Sequence, residues 1–228
     1  DSMHAFSATQ EIDEKLDSLA KQMPQDWWEI PSALMTSRTE EAASQFERIM
    51  CQIWHFELAT LLHLPFMLRA ATDRRYEYSR ISCLSATRGL IKRWMSIREV
   101  LGKTLFSNLI EFQAFTAATT ILLGLLGSTH TTTDQVALQE RYENLQLVET
   151  VVQTLERLRQ HGTAVHIADQ SITVIRTLQG VLQSKNDSSN TSLRHYQRYA
   201  QRRRTIARRR PDNRGKPTSK GNIDGCWP

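Results

Sequence analysis

Between Ser32 and Arg210 the chain carries a single proline, Pro65, and its few glycines there are isolated. Proline removes an amide donor and glycine frees the backbone, so a stretch this poor in both has few places to end a helix or turn a hairpin. Long helices with short connections are the expectation, and no window alternates apolar and polar residues well enough to argue for a strand. The fold class read from this is all-α: a compact multi-helix domain of about six helices with a disordered basic C-terminal tail. The corresponding boundaries are 1–38 for an N-terminal helix and linker, 39–184 for the helical domain and 185–228 for the tail.

Apolar spacing places the helices. Ile12, Leu16 and Leu19 predict a first helix from about Glu11 to Met23, stopped by Pro24, with the aromatic loop Trp27-Trp28 after it. Ser37 and Glu40 have capping-box spacing and open a second helix, whose stripe Ala42, Phe46, Ile49, Ile53 is widened by Met50, Trp54, Leu58 and Leu61. Pro65 predicts a kink or break near Leu61 to Leu64. Cys83, Thr87, Leu90, Trp94, Ile97 and Leu101 mark a third helix within Tyr76 to Leu101, closed by Gly102. A fourth spans Leu105 to Leu126 with Gly127 as its cap; its strongly apolar part, Ala114 to Gly127, falls short of the roughly 20 residues a bilayer needs and reads as a buried core helix, with no membrane partner. Thr132 with Gln135 caps a fifth, carrying Leu138, Tyr142, Leu145, Val148, Val152 and Leu155 up to His161-Gly162. Val165, Ala168, Ile172, Ile175, Leu178 and Leu182 form the stripe of a sixth.

Charge divides the chain. Residues 184–228 hold 12 lysines and arginines against 3 acidic residues, while residues 1–183 hold 17 against 21, so the body is mildly acidic and the tail strongly basic. Within the tail, Arg202, Arg203, Arg204 and Arg208, Arg209, Arg210 form two triplets that suit a nuclear-import receptor or another polyanion. No recognition element accompanies them, so DNA would be met only indirectly or nonspecifically. Three cysteines, Cys51, Cys83 and Cys226, cannot build a disulfide scaffold, and nothing near Asp1 looks like a secretory signal; a reducing compartment is expected.

Catalytic spacings are missing: there is no GxSxG elbow, GxGxxG or Walker loop, HExxH or calcium loop. Catalytic residues, cofactor-binding residues and metal ligands are therefore assigned to none. Cys51 and His55, one turn apart, with Glu57 and His63 on the same helix, are the nearest approach to a metal set, but a structural zinc site needs four converging ligands. A buried thiol and a satisfied histidine explain them better.

Three segments go beyond periodicity: Leu61-Leu-His-Leu-Pro-Phe-Met-Leu-Arg69, then Tyr76-Glu-Tyr-Ser-Arg80 with Cys83-Leu84 and Arg88, then Glu111-Phe-Gln-Ala-Phe-Thr-Ala117. In order and spacing they resemble the regulatory region of fungal Zn2Cys6 transcription factors, the middle homology region, over about residues 40–128. The family-motif residues are His63, Pro65, Arg69, Tyr76, Tyr78, Arg80, Arg88, Phe112, Gln113 and Phe115. The resemblance implies a non-enzymatic, all-α regulatory domain of a nuclear transcription regulator that responds to a small-molecule effector or a protein co-regulator. It also implies zinc only in a DNA-binding cluster, which needs six cysteines and is absent here, so DNA recognition is expected to lie outside this chain.

Physically, His63, Pro65 and Arg69 would serve carbonyls freed at the kink, with Tyr76, Tyr78, Arg80, Gln113 and Phe115 in a polar network beneath it. Trp54, His55, Phe66, Trp94 and Phe115 are the expected lining of an effector cavity. The alternative is a helical protein-interaction module, homodimerisation included, whose basic tail adds nuclear import or nonspecific nucleic-acid affinity.

Overall fold

Thr39 opens the longest helix: its hydroxyl accepts the Ala42 amide at 3.2 Å, and Glu40 and Glu41 in the first turn suit the positive end of the helix dipole. The computed structural model describes residues 2–31, 39–101, 108–127, 135–161, 166–185 and 187. The helices are α1 (Ser2–Lys21), α2 (Glu40–Ala70), α3 (Glu77–Leu101), α4 (Asn108–Gly127), α5 (Gln135–Gln160) and α6 (166–185). Single 3-10 turns lie at Gln25–Trp28 and Arg74–Tyr76, and no strand occurs among the described residues. The fold is all-α, and α1 to α6 fall within one compact unit apart from the last residues of α6.

α3 is the centre, packing on α2, α4 and α5. Cys83, Thr87, Leu90, Trp94 and Ile97, the stripe read from spacing, are at most 2% exposed. Against it lie Ile49 and Ile53 of α2, Ala114, Ala118, Ile121 and Leu122 of α4, and Val148, Val152 and Leu155 of α5, with Ala168 and Ile175 of α6 completing the same cluster. α2 and α3 come close because small polar groups face each other. The hydroxyls of Thr60 and Thr87 bond back to Phe56 O and Cys83 O at 2.8 and 2.6 Å, and the Cys83 thiol reaches Thr60 O at 3.5 Å. Burial pushes that thiol up to about 12, which leaves it an unreactive packing group.

Several expectations need correction. The cap of α2 is Thr39, and Ser37 lies outside the described residues, as do Gly102, Thr132, Gly162, Val165 and both arginine triplets. Pro65 does not break α2, which continues to Ala70; Pro65 and Leu61 sit on the exposed side, where water can take the freed carbonyl. α1 begins well before Glu11, and its apolar stripe faces outward, Ile12 and Leu19 being 51% and 61% exposed. Phe6, Thr9 and Asp13 form its docked face instead, because Phe6 and Asp13 find specific partners there. Leu138 and Tyr142 in the first turns of α5 are also exposed, while the later part of its stripe is buried. Gly127 belongs to the last turn of α4. That helix is long and apolar enough to cross a membrane, contrary to the length argument, yet 61% of its most apolar window is buried in the bundle.

α4 also carries a buried ion pair to α3, Arg98 on Glu111, with side chains 5% and 0% exposed. Burial raises the Glu111 carboxyl above the usual range, and the Arg98 guanidinium pulls it back only in part. Removing one partner strands a charge that water cannot reach. Arg98→Met is expected to cost about 3–5 kcal/mol in urea unfolding, and R98M/E111L to recover most of it, since apolar replacement of a whole buried pair is often neutral.

Candidate functional site

Three of the motif residues, His63, Tyr76 and Tyr78, meet where α1 lies against the end of α2 and the start of α3. His63, with no exposed surface, is held on both sides of its ring. Nδ1 lies 3.1 Å from Ser79 Oγ, and Nε2 lies 3.1 Å from Asp13 Oδ1. The Tyr78 hydroxyl donates to the other Asp13 oxygen, and its ring stands edge-on to His63 at 5.7 Å. That hydrogen bond to Asp13, helped by burial, keeps the phenol protonated above its ordinary range. Asp13, His63 and Ser79 thus follow one another as a hydrolase relay would, but Ser79 and His63 are fully buried between helices, where the set fastens α1 to α2 and α3. Beside it, Phe6 of α1 packs on Phe66 and Tyr76 with ring centroids 5.0 Å from each.

A second clamp holds the loop after α1. Arg93, 8% exposed, donates from Nε to Gln52 Oε1 at 2.7 Å and from Nη2 to Trp28 O at 2.8 Å, while Gln52 turns its amide to Trp27 O. The guanidinium lies 4.4 Å from the Phe56 ring centroid, and Phe56 fills the space over Gly89, where a Cβ would come within 2.9 Å of the ring. Trp28 also packs on His55 at 4.8 Å.

The other motif residues serve separate contacts. Arg88 bridges to α5 through Glu140 at 2.8 Å and Asn144 at 3.2 Å, and Gln113 of α4 donates its amide to Glu57 of α2. Arg80 pairs with Glu77 on its own helix, Arg69 lies over the Phe66 ring at 5.8 Å, Pro65 is exposed, and Phe112, 52% exposed, packs on Phe115. The expected polar network of Tyr76, Tyr78, Arg80, Gln113 and Phe115 therefore does not form, because Gln113 bonds Glu57 of α2 and Phe115 packs on Phe112 of its own helix. Nor do the five expected cavity residues converge: Trp54 is 53% exposed, Trp94 lies in the main core, and Phe66 lies in the separate cluster with Phe6 and Tyr76. Cys51 is exposed and not the buried thiol expected, His55, Glu57 and His63 meet different neighbours, and no group of three or more metal-binding side chains occurs among the described residues. Asp13, Ser79, Gln52 and Arg93 carry the clamps and were not singled out by spacing.

What fold and junction define is an all-helical body whose motif residues tie helices together. No family model and no solved structure matches the chain. It is 33% identical over 158 residues, 69% of its length, to the transcription factor sdnS of Sordaria araneosa, and covers 20% of that protein. It is 28% identical over 177 residues, 76% of its length, to the dehydrocurvularin biosynthesis regulator of Aspergillus terreus, covering 24% of it. The probable transcription factor gsfR1 of Penicillium aethiopicum is 29% identical over 157 residues, 68% of this chain and 23% of that protein. These relatives, named as fungal transcription factors and a biosynthesis regulator, agree with the resemblance the motifs carry, and the chain spans about a fifth to a quarter of their length.

His55 makes the second clamp sensitive to acid. Burial first, and the nearby Arg93 charge second, lower its pKa below the ordinary 6.5, so the folded state resists its protonation and the unfolded state does not. The unfolded chain then binds more protons as pH falls through the ordinary value, and stability present above it is lost below. Between about pH 8 and pH 5, urea midpoints of the wild type are expected to fall more steeply than those of His55→Gln; parallel slopes would refute the assignment.

Proposed function

We propose that this chain is the regulatory region of a nuclear transcription regulator, non-enzymatic in its role, and that docking of α1 at His63 is the step its input controls. The observation that carries this reading is the double hold on His63, one side from α1 and the other from α3. At this junction α1 rests on Asp13, the aromatic Phe6 and the buried Thr9, while Ile12 and Leu19 face water. Such a docking is easily biased. A small-molecule effector or protein co-regulator that binds the docked and released arrangements unequally shifts their populations by the ratio of its affinities. The chain fused to a heterologous DNA-binding domain provides the test. Asp13→Asn and His63→Gln are expected to move reporter output in the same direction by about five-fold or more at unchanged protein level. Output equal to wild type in both variants would reject the junction as the control point.

The two arginine triplets of the tail suit the address such a regulator needs, since clustered guanidinium groups bind an acidic receptor surface through charge. A fluorescent fusion with Arg202, Arg203, Arg204, Arg208, Arg209 and Arg210 all changed to alanine is expected to lose nuclear accumulation. Retention in the nucleus would move the address elsewhere.

A further inference from the structure

The seat on which α1 rests is prepared by residues that hold one another. Phe66 and Tyr76 stand with ring centroids 5.3 Å apart and, with Ala70 and the incoming Phe6, form a cluster separate from the main core. Ser79 fixes one nitrogen of His63, which turns the other, together with the Tyr78 hydroxyl, toward a carboxylate. The seat therefore offers two recognition points, an aromatic slot and a carboxylate pin.

α1 answers them with few groups. Phe6, Thr9 and Asp13 follow at steps of three and four, which is one stripe of a helix. Phe6 enters the slot, and Asp13 reaches the pin seven residues later, two turns or about 10 Å along the axis. Ile12 and Leu19 are left exposed. The code is short: a helix with an aromatic residue, a small one three positions on and an acid four beyond that presents the same atoms. A small apolar ligand would fill the slot and leave His63 and Tyr78 unmatched two turns away, whereas a helix spans both. The occupant in place is itself acidic, with Glu11, Asp13, Glu14 and Asp17 against Lys15 and Lys21.

We infer that this seat is a docking groove for an acidic amphipathic helix of a partner protein, and that α1 fills it as an internal competitor. The inference rests on the proposal that α1 docking is the controlled step, and it names what displaces α1. The end of α1 stays attached when the seat is vacated, because Trp28 Nε1 donates to Ala20 O at 3.2 Å and Arg93 holds Trp28 O. A short tether gives α1 an effective concentration in the millimolar range, so a partner of micromolar affinity is held off until the two anchors loosen.

Fluorescence anisotropy on the full chain, with a labelled synthetic peptide of the α1 sequence Ser2–Lys21 as probe, tests this. The wild type is expected to bind the peptide weakly, and F6A/D13N, whose own α1 has lost both anchors, roughly ten-fold or more tightly. Asp13→Asn alone is expected to fall between them, and gives the same reading should the double variant unfold. Adding Tyr78→Phe, at a half-exposed position, is expected to weaken capture about three-fold or more. A peptide carrying Phe6→Ala and Asp13→Asn is expected not to bind. Equally weak binding by the wild type and both variants, with the helical circular dichroism spectrum retained, overturns the inference, because the seat then takes α1 only from within. Binding that the altered peptide keeps overturns it as well, since slot and pin are then not what is read. Reporter output that shifts in Asp13→Asn and His63→Gln without peptide capture leaves α1 docking as the control point and removes the displacing helix. Capture without a reporter shift supports the groove and rejects the control point.

Discussion

The close approach of α2 and α3 is the constraint on which the rest of the structure depends. Two threonines whose hydroxyls are already bonded to their own helices, a cysteine that reaches across to a carbonyl, and Gly89 under the Phe56 ring let the two backbones come together. Only with that spacing does α3 present one face to α2 and another to α4 and α5. A branched residue at Thr60 or Thr87 without the hydroxyl would fill similar space but lose the internal bond, and a larger one would force the helices apart.

On this pair the N-terminal segment is held mainly by polar contacts. Tyr78 at Asp13, Arg93 at the Trp28 carbonyl and Gln52 at the Trp27 carbonyl are directional, so they specify where the segment sits more than they add to its stability. The buried groups are costly when left alone, which makes the docked position narrow: a small displacement loses several contacts together.

Much of the core was legible from spacing, and the reason is specific. α3 is surrounded, so its four-and-three stripe from Cys83 to Ile97 had to be the buried one. α1 shows where the same logic fails: Ile12, Leu16 and Leu19 keep helical spacing, but the helix is oriented by Phe6 and Asp13, which find their partners 60 and 50 residues further on. A single aspartate on an acidic helix reads as solvated until His63 is seen beside it. The motif resemblance found His63 and Tyr78 without revealing that they form one junction, and it grouped with them Gln113, which bonds α2 from another helix, and Phe115, which packs on Phe112. Pro65 misled for a local reason, since a proline on the wet side of a helix can be tolerated.

α4 has a consequence for synthesis. Its apolar residues are covered from one side by α2 and α3, made before it, and from the other by α5, made after it. Until Val148 and Val152 have left the ribosome, a helix greasy enough to be mistaken for a bilayer segment stands half uncovered. Chaperone capture in that interval, or clumping of nascent chains when translation stalls beyond Gly127, is the exposure this order of elements builds into the chain's biogenesis.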